Sequence, residues 1–397
     1  MNTERRKRKP FRTIFTIGLG ILVATLVAEV LLRIVEISPL WKVLPVGEVA
    51  IYSSDSQSGY RIRPNVEGVW LNENRTKIIT SPQGLRDFDT PYSKSPESIR
   101  LVVAGDSITE ALQVAGESVF TELMEKDFQQ HYGNVDVVNL GMSGAIPTVQ
   151  MARMQSLGVQ FEPDMMLFVI NIFDFASTTL REDSAFPGYK KTAEGTWQLS
   201  YGFRNGMGYR FRESTIGQGY YWLLDNSRVA RLINARRNRG LELPGSGGVQ
   251  SHQDDSGCND NSLNRFSTAL LESNVAADEV AVFQAFIRDL KATSKAAKAD
   301  PVLVVRGLLP ECVKDHERLL SFSTKLAALL KSEGIQYIDM DRAIKDVLNR
   351  TSHRDSQVKD LYGFGVRIGE GHLNYFGHAV FSQALSEKLI PLIDEHR

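Results

Sequence analysis

Apolar and polar positions divide the chain into one long uncharged run and a series of short ones. The long run is Thr13–Ala28, and apolar residues continue past Glu29 to Val35. From residue 100 onward, short apolar runs alternate with segments of helical period. Leu101-Val102-Val103-Ala104, Val135–Leu140 and Met165–Ile170 read as strands. The last is nearly all apolar, the mark of a strand covered on both faces. Between them, Phe120, Leu123, Met124 and Phe128 share one helix face, and a second helix spans Pro147–Leu157. The alternation returns after residue 275. A helix at Ala276–Ala297 carries the stripe Phe283, Phe286, Ile287 and Leu290. Strand Val302–Val305, helix Leu319–Leu330, strand Ile335–Met340 and a final helix Phe376–Leu389 follow. Strands alternating with amphipathic helices imply right-handed crossovers. The fold class is therefore α/β: a parallel sheet of about five strands with helices on both faces.

Two regions break this pattern. Residues 38–99 hold turn residues around short alternating runs and predict a β-rich lead-in. Within it, Val69-Trp70-Leu71 and Lys77–Thr80 can form a hairpin across Asn72-Glu73-Asn74. Residues 176–274 form an insertion into the main domain, which spans 100–393. The insertion is rich in aromatics and arginines, predicts a short helix at Tyr220–Arg237, and becomes rich in Gly, Ser, Asp and Asn from Gly240 to Asn264. Its aromatic and arginine-rich part reads either as a lid or glycan-binding face, or as a small satellite core.

Charge distribution decides the compartment. Six basic residues within 1–12 precede the apolar run at 13–35. The positive-inside rule places that tail in the cytoplasm and the rest of the chain outside, on the periplasmic or extracellular side of a single-pass anchor. Glu29 and Arg33, four apart, can pair along the helix at the far interface. A cleaved signal peptide is the competing reading, but no A-x-A site follows the apolar core. The 397 residues carry a net charge of −1, so no global field attracts nucleic acid. Cys258 and Cys312 have no metal-ligand spacing, and could pair in an oxidising compartment only if the fold brings them together. No Walker, G-x-G-x-x-G or H-E-x-x-H pattern is present, so neither a metal nor another cofactor is expected.

Doubly wound sheets hold their ligands at the carboxyl ends of the strands. Three such ends carry reactive groups: Ser107 after the first strand, the Gly141–Gly144 loop after the second, and Asn171 with Asp174 after the third. A fourth set, Glu370, His372 and His378, surrounds the start of the last helix. A serine nucleophile needs a base, and the base needs an orienting carboxylate. His372 can be the base and Glu370 the orienter, whereas Asp355 and Asp360 stand farther upstream. The glycine-rich loop can supply N–H donors to a developing oxyanion. Asp106 is expected to hold the serine turn, Asp174 its own strand end, and His378 to pack or cap at the final helix.

These segments together resemble the SGNH (GDSL-type) hydrolase superfamily. AGDSIT matches its nucleophile block, VVNLGMSG its glycine block, and EGHLNYFGH its terminal acid-and-histidine block. SGYRIRPN and SPQGLRDFD in the lead-in are similar to membrane-anchored bacterial members. The resemblance implies Ser107 as nucleophile, its N–H and that of Gly144 as oxyanion donors, and His372 as base. Two positions depart from the pattern. The acid before the histidine is Glu370 instead of Asp. In VINIFDF, Phe173 stands where the third block has asparagine. Asn171, two residues earlier, falls on the same face of an extended segment. Either Asn171 is a displaced third donor, or Phe173 lines an acyl pocket and the hole has two backbone donors.

The expected activity is that of a serine esterase or O-acyltransferase acting on ester groups, foremost O-acetyl groups, of carbohydrate outside the cytoplasm. Lipase or thioesterase action on acyl chains is an alternative within the class. A catalytically weak glycan-binding module is the alternative outside it. The expected partners are the acylated substrate and the lipid bilayer.

Overall fold

A computed structural model of the chain describes residues 4–38, 50–172, 174, 185–241, 270–271, 278–307, 316–350 and 356–396. Phe173, Cys258, Cys312, Asp355 and the polar stretch from 242 to 269 lie outside the described residues. The chain divides into two units. One is Met1–Ala50 with Ser214–Val249, and the other is Ile51–Glu213 with Gln250–Arg397. The aromatic and arginine-rich insertion is thus shared between them.

In the larger unit, the lead-in forms two antiparallel hairpins: β1 (Tyr52–Asp55) with β2 (Gly59–Ile62), and β3 (Glu67–Trp70) with β4 (Thr76–Ile79). The α/β part follows as β5 (Ile99–Ala104), a single turn α2 (Ser107–Glu110), α3 (Phe120–Tyr132), β6 (Val135–Asn139), α4 (Pro147–Ser156) and β7 (Met165–Asn171). A small hairpin, β8 (Gly188–Lys191) with β9 (Trp197–Ser200), and the short helix α5 (Met207–Glu213) belong to the same unit. The smaller unit comprises the long N-terminal helix α1 (Glu4–Ile37) together with α6 (Thr215–Asn226) and α7 (Arg228–Leu241). The larger unit resumes with α8 (Asp278–Ala297), β10 (Asp300–Arg306), α9 (His316–Ser332), β11 (Gln336–Asp339), α10 (Met340–Arg350) and α11 (Tyr375–Glu395).

The five strands β11-β10-β7-β5-β6 form one sheet, with parallel pairing throughout. Numbered along the sheet's own chain order, this is 2-1-3-4-5, the flavodoxin-like arrangement. Strand alternation builds two cores. Leu101, Val103, Leu167, Val169 and Val304 face α3, α10 and α11. Val102, Ala104, Phe168, Ile170 and Val305 face α4, α8 and α9. The helix stripes meet them with large side chains, Phe120, Met124 and Phe128 on one side and Phe283, Phe286 and Leu290 on the other. Each such side chain fully buried contributes roughly 1.5–3 kcal/mol. The order reverses between β5 and β7, both of which pair with the strands that flank them. Doubly wound sheets carry their ligands at the carboxyl strand ends beside such a switch point, and the turn leaving β5 carries Ser107.

Two elements differ from the sequence reading. The expected strand Ile335–Met340 ends at Asp339, and Met340 opens α10 at once. The single helix expected at Tyr220–Arg237 is two helices separated at Ser227.

Candidate active site

The turn that carries Ser107 is built by close approach. Asp106 is the N-cap of α2, and its Oδ1 accepts from the Ile108 N–H at 2.9 Å. A Cβ on Gly105 would lie 1.9 Å from the Thr109 hydroxyl oxygen, and one on Gly141 would lie 2.3 Å from the Glu110 amide nitrogen. Only glycine lets the loop after β6 lie against the turn after β5. Asn139 secures that loop: its amide donates to the Thr109 carbonyl at 2.7 Å, and its Oδ1 accepts from the Gly141 N–H at 2.8 Å. Gly144, farther along the loop, has φ +75°.

His372 stands over this turn. Its Nε2 is 2.8 Å from Ser107 Oγ. Its Nδ1 is 2.6 Å from Glu73 Oε1, and its backbone N–H donates to Glu73 Oε2 at 2.9 Å. A carboxylate can only accept, so the neutral imidazole carries its proton on Nδ1 and presents Nε2 as acceptor to the serine hydroxyl. Burial acts to raise the Glu73 pKa. The side-chain and backbone hydrogen bonds from His372 and the charges of His372 and Arg367 outweigh it, so the carboxyl lies below its ordinary value.

This geometry corrects the expectation for Glu370. Glu370 is exposed, and Glu73 at the tip of the β3–β4 hairpin occupies the orienting position. The reason is local. Gly371, at φ +78°, turns the chain between Glu370 and His372. A Cβ on Gly371 would come within 2.6 Å of Glu73 Oε2, so the space beside His372 belongs to the hairpin carboxylate. Glu73 itself has φ +61°, an uncommon value for a residue with a side chain. Asn74 ties the tip down by donating from its side-chain amide to the Gln113 carbonyl at 2.8 Å. Asp360 is engaged elsewhere, accepting from the Gln357 N–H at 2.7 Å.

The remaining charged groups brace the floor. Asp106 pairs with Arg306 at the end of β10. Burial, reinforced by the charge of Asp106 and opposed by Arg306, pushes the Asp174 carboxyl up to about 7. Asn171 ends β7, where it is registered opposite Arg306. Glu110 is fully buried and accepts from Tyr52 Oη at 2.7 Å and from the Ser143 N–H at 2.6 Å. It therefore joins the lead-in, the serine turn and the glycine loop. Burial raises its pKa, and the hydrogen bonds from Ser143 and Tyr52 counter that rise. His378 is also buried: its Nδ1 accepts from the Phe120 N–H at 3.3 Å, and its ring stacks on Phe120.

No family model matches the chain, and no curated protein matches it in sequence. Among solved structures it is similar to an α/β hydrolase enzyme from the metagenome of Lake Arreo, Spain, at 15% identity and a TM-score of 0.36, covering 74% of this chain and 95% of that one. It is similar to an acetyl xylan esterase at 12% identity and a TM-score of 0.37, covering 73% and 100%. A third similarity is to a lipolytic G-D-S-L family protein from Veillonella parvula, at 11% identity and a TM-score of 0.36, covering 73% and 97%.

Sequence reasoning missed Glu73, Glu110 and Arg306. Glu73 gave one usable signal: a carboxylate at the tip of a tight Asn-Glu-Asn turn. Glu110 and Arg306 gave none, because a Glu in a helical turn and an Arg at a strand end are ordinary on their own.

Proposed function

We propose that this protein is a serine esterase or O-acyltransferase of the SGNH type, held in a membrane by α1, with its catalytic unit outside the cytoplasm. The carrying observation is the continuous chain Ser107 Oγ–His372–Glu73, at 2.8 and 2.6 Å. In this reading Ser107 Oγ attacks the ester carbonyl while its proton passes to His372 Nε2. Glu73 holds the Nδ1 proton and stabilises the imidazolium that forms. The Ser107 and Gly144 N–H groups receive the oxyanion, with Asn171 as the proposed third donor. Collapse of the tetrahedral intermediate expels the alkoxide, which takes the proton from His372 and leaves the acyl group on Ser107. Water, or a sugar hydroxyl activated by the same imidazole, then accepts the acyl group.

Acylated carbohydrate outside the cytoplasm is the proposed substrate class. The extracytoplasmic placement supports it, as does a reaction centre open to solvent, with the His372 side chain 28% and Glu73 24% exposed. Intact nucleophile and base favour catalysis over a purely binding role. The deciding experiment treats the detergent-solubilised full chain with a fluorophosphonate probe and maps the labelled residue. Labelling at Ser107, lost in Ser107→Ala, is expected. A chain that stays unlabelled while folded removes the enzyme reading.

A further inference from the structure

The unit formed by α1, α6 and α7 assigns a role to the aromatic and arginine-rich stretch that neither sequence reading contains. Helix α1 has a 25-residue apolar segment, Arg12–Glu36, whose side chains are exposed through most of its length. Near its end the pattern changes: Ala28, Glu29, Leu32, Val35 and Glu36 form a half-buried stripe at helical spacing. The stripe meets the corner between α6 and α7. Glu29 accepts from Ser227 Oγ at 3.1 Å and from the backbone N–H groups of Arg228 and Val229 at 3.0 and 3.1 Å. It thereby satisfies the open N-terminus of α7, as a capping side chain does. Glu36 pairs with Arg228 at 2.6 Å and with Arg231 at 3.0 Å. Arg33 donates to the Asn226 carbonyl at 2.8 Å. Cleavage of α1 would leave the Arg228 and Val229 N–H groups and the buried Arg231 without their carboxylates. The joint therefore supports a retained helix over a removable leader.

The clamped hairpin has an uncovered apolar side. Ile216, Tyr220 and Leu223 recur at i, i+4 and i+7 along α6, with Ile216 77% exposed. Ile233 on α7 is 63% exposed. Arg236 and Arg237 on α7 are exposed as well. The clamp sets this side at the level where Glu29, Arg33 and Glu36 end the uncharged run of α1. That is the height of the headgroups for a spanning helix, where Trp and Tyr concentrate. Apolar residues edged by arginines have the composition of a helix lying in the membrane interface.

We propose that the α6–α7 hairpin is a lipid-binding module that lies in the outer headgroup layer beside α1. Ile216 and Leu223 enter the acyl boundary, and Arg236 and Arg237 meet lipid phosphates. The proposal rests on the reading of α1 as an anchor, and the test separates the two. The full chain is placed in nanodiscs of phosphatidylcholine and phosphatidylglycerol containing nitroxide lipids of shallow or deep label position. Three forms, Val23→Cys, Gln218→Cys and Leu223→Cys, each in a Cys258→Ser, Cys312→Ser background, carry an environment-sensitive fluorophore. The expected result is deep quenching at Val23, shallow quenching at Leu223, and clearly weaker quenching at Gln218 on the opposite side of α6. Quenching at Val23 with Leu223 quenched no more than Gln218 leaves the anchor standing and overturns the lipid module. Absence of quenching at Val23 overturns the anchor and the module with it. Energy transfer between Leu223 labels of two chains, without lipid quenching, assigns the face to a second copy and also overturns the proposal.

Discussion

Glu73 and His372, 299 residues apart, hold each other through two hydrogen bonds, Oε1 to the ring Nδ1 at 2.6 Å and Oε2 to the backbone N–H at 2.9 Å. The pair fixes the ring orientation and the backbone that carries it. In the proposed mechanism the lead-in hairpin is therefore part of the reaction centre and not a spacer ahead of it. Replacing the carboxylate while keeping its shape tests this. Glu73→Gln is expected to lower kcat on a chromogenic acetyl ester by about 10²- to 10⁴-fold, because an amide can donate to Nδ1 and hold the wrong tautomer. Glu370→Gln is expected to stay within a few-fold of the parent. The reverse order of effects would return the orienting role to Glu370.

Ser107 Oγ and His372 Nε2 lie 2.8 Å apart, and the proposed mechanism passes one proton between them. Ser107→Ala and His372→Ala are each expected to lower turnover by on the order of 10³-fold or more, and the double variant to be little worse than either, since members of one proton-transfer unit are non-additive. Multiplying losses, measured as kcat of the three variants under one condition, would mean the 2.8 Å contact is incidental.

The legibility of this site followed the range of its contacts. Ser107 and His372 were readable because each stands in a local pattern: a strand end with a tight turn, and an acid–histidine pair before a helix. The sheet was readable because its strands alternate between two cores, so Leu101 and Val102 announce opposite faces. Glu73 was readable only as a turn residue, since nothing local ties a hairpin tip to a loop at the far end of the chain. Glu370 misled for the converse reason. It has the right spacing, but the bend at Gly371 gives the orienting place to another carboxylate. Helix α10 escaped notice because it starts on the residue after β11, with no turn signal between them. The role of the insertion was hidden because its helices answer to α1, which precedes them by almost two hundred positions.

Asn171 ends β7, and the proposed hole gives it a donor's part. One such donor is typically worth about 10²- to 10³-fold in rate. Asn171→Ala is expected to lower kcat within that range while circular dichroism stays unchanged. A kcat within a few-fold of the parent would leave the hole with two backbone donors.

His378 couples folding to pH. Burial, and secondarily the charge of His372, lower its pKa from 6.5 to about 3. Between those values the unfolded chain binds a proton that the folded chain refuses. Stability from this group is thus complete above pH 6.5 and is lost as pH falls toward 3. Glu122 works the other way: burial, with Asp87 beside it, raises its pKa from 4.5 to about 9, so its contribution weakens as pH rises through that window. Comparison with a single variant separates the two. In urea unfolding of the solubilised chain, His378→Gln is expected to remove up to about one proton from the stability slope between pH 4 and 6.5. An unchanged slope would show that the buried ring takes up its proton as readily as a free one.

Gly371 offers the sharpest test of the corrected site. Its φ of +78° strains any residue with a side chain, and an added Cβ would meet Glu73 Oε2 at 2.6 Å and Cδ at 2.9 Å. Backbone strain alone costs of order 1–3 kcal/mol, which an exposed loop can relieve by moving. The contact with Glu73 cannot be relieved without displacing the carboxylate from His372. Gly371→Ala is therefore expected to lower kcat by on the order of 10²-fold, a large part of the loss from removing the orienter, and to change thermal stability little. The two substitutions act on one contact, so their effects should not add. The Glu73→Gln, Gly371→Ala double variant is expected to match Glu73→Gln alone. A double variant slower by the product of both losses would mean that Gly371 acts through some other part of the loop, and that the carboxylate is not held where its two hydrogen bonds to His372 place it.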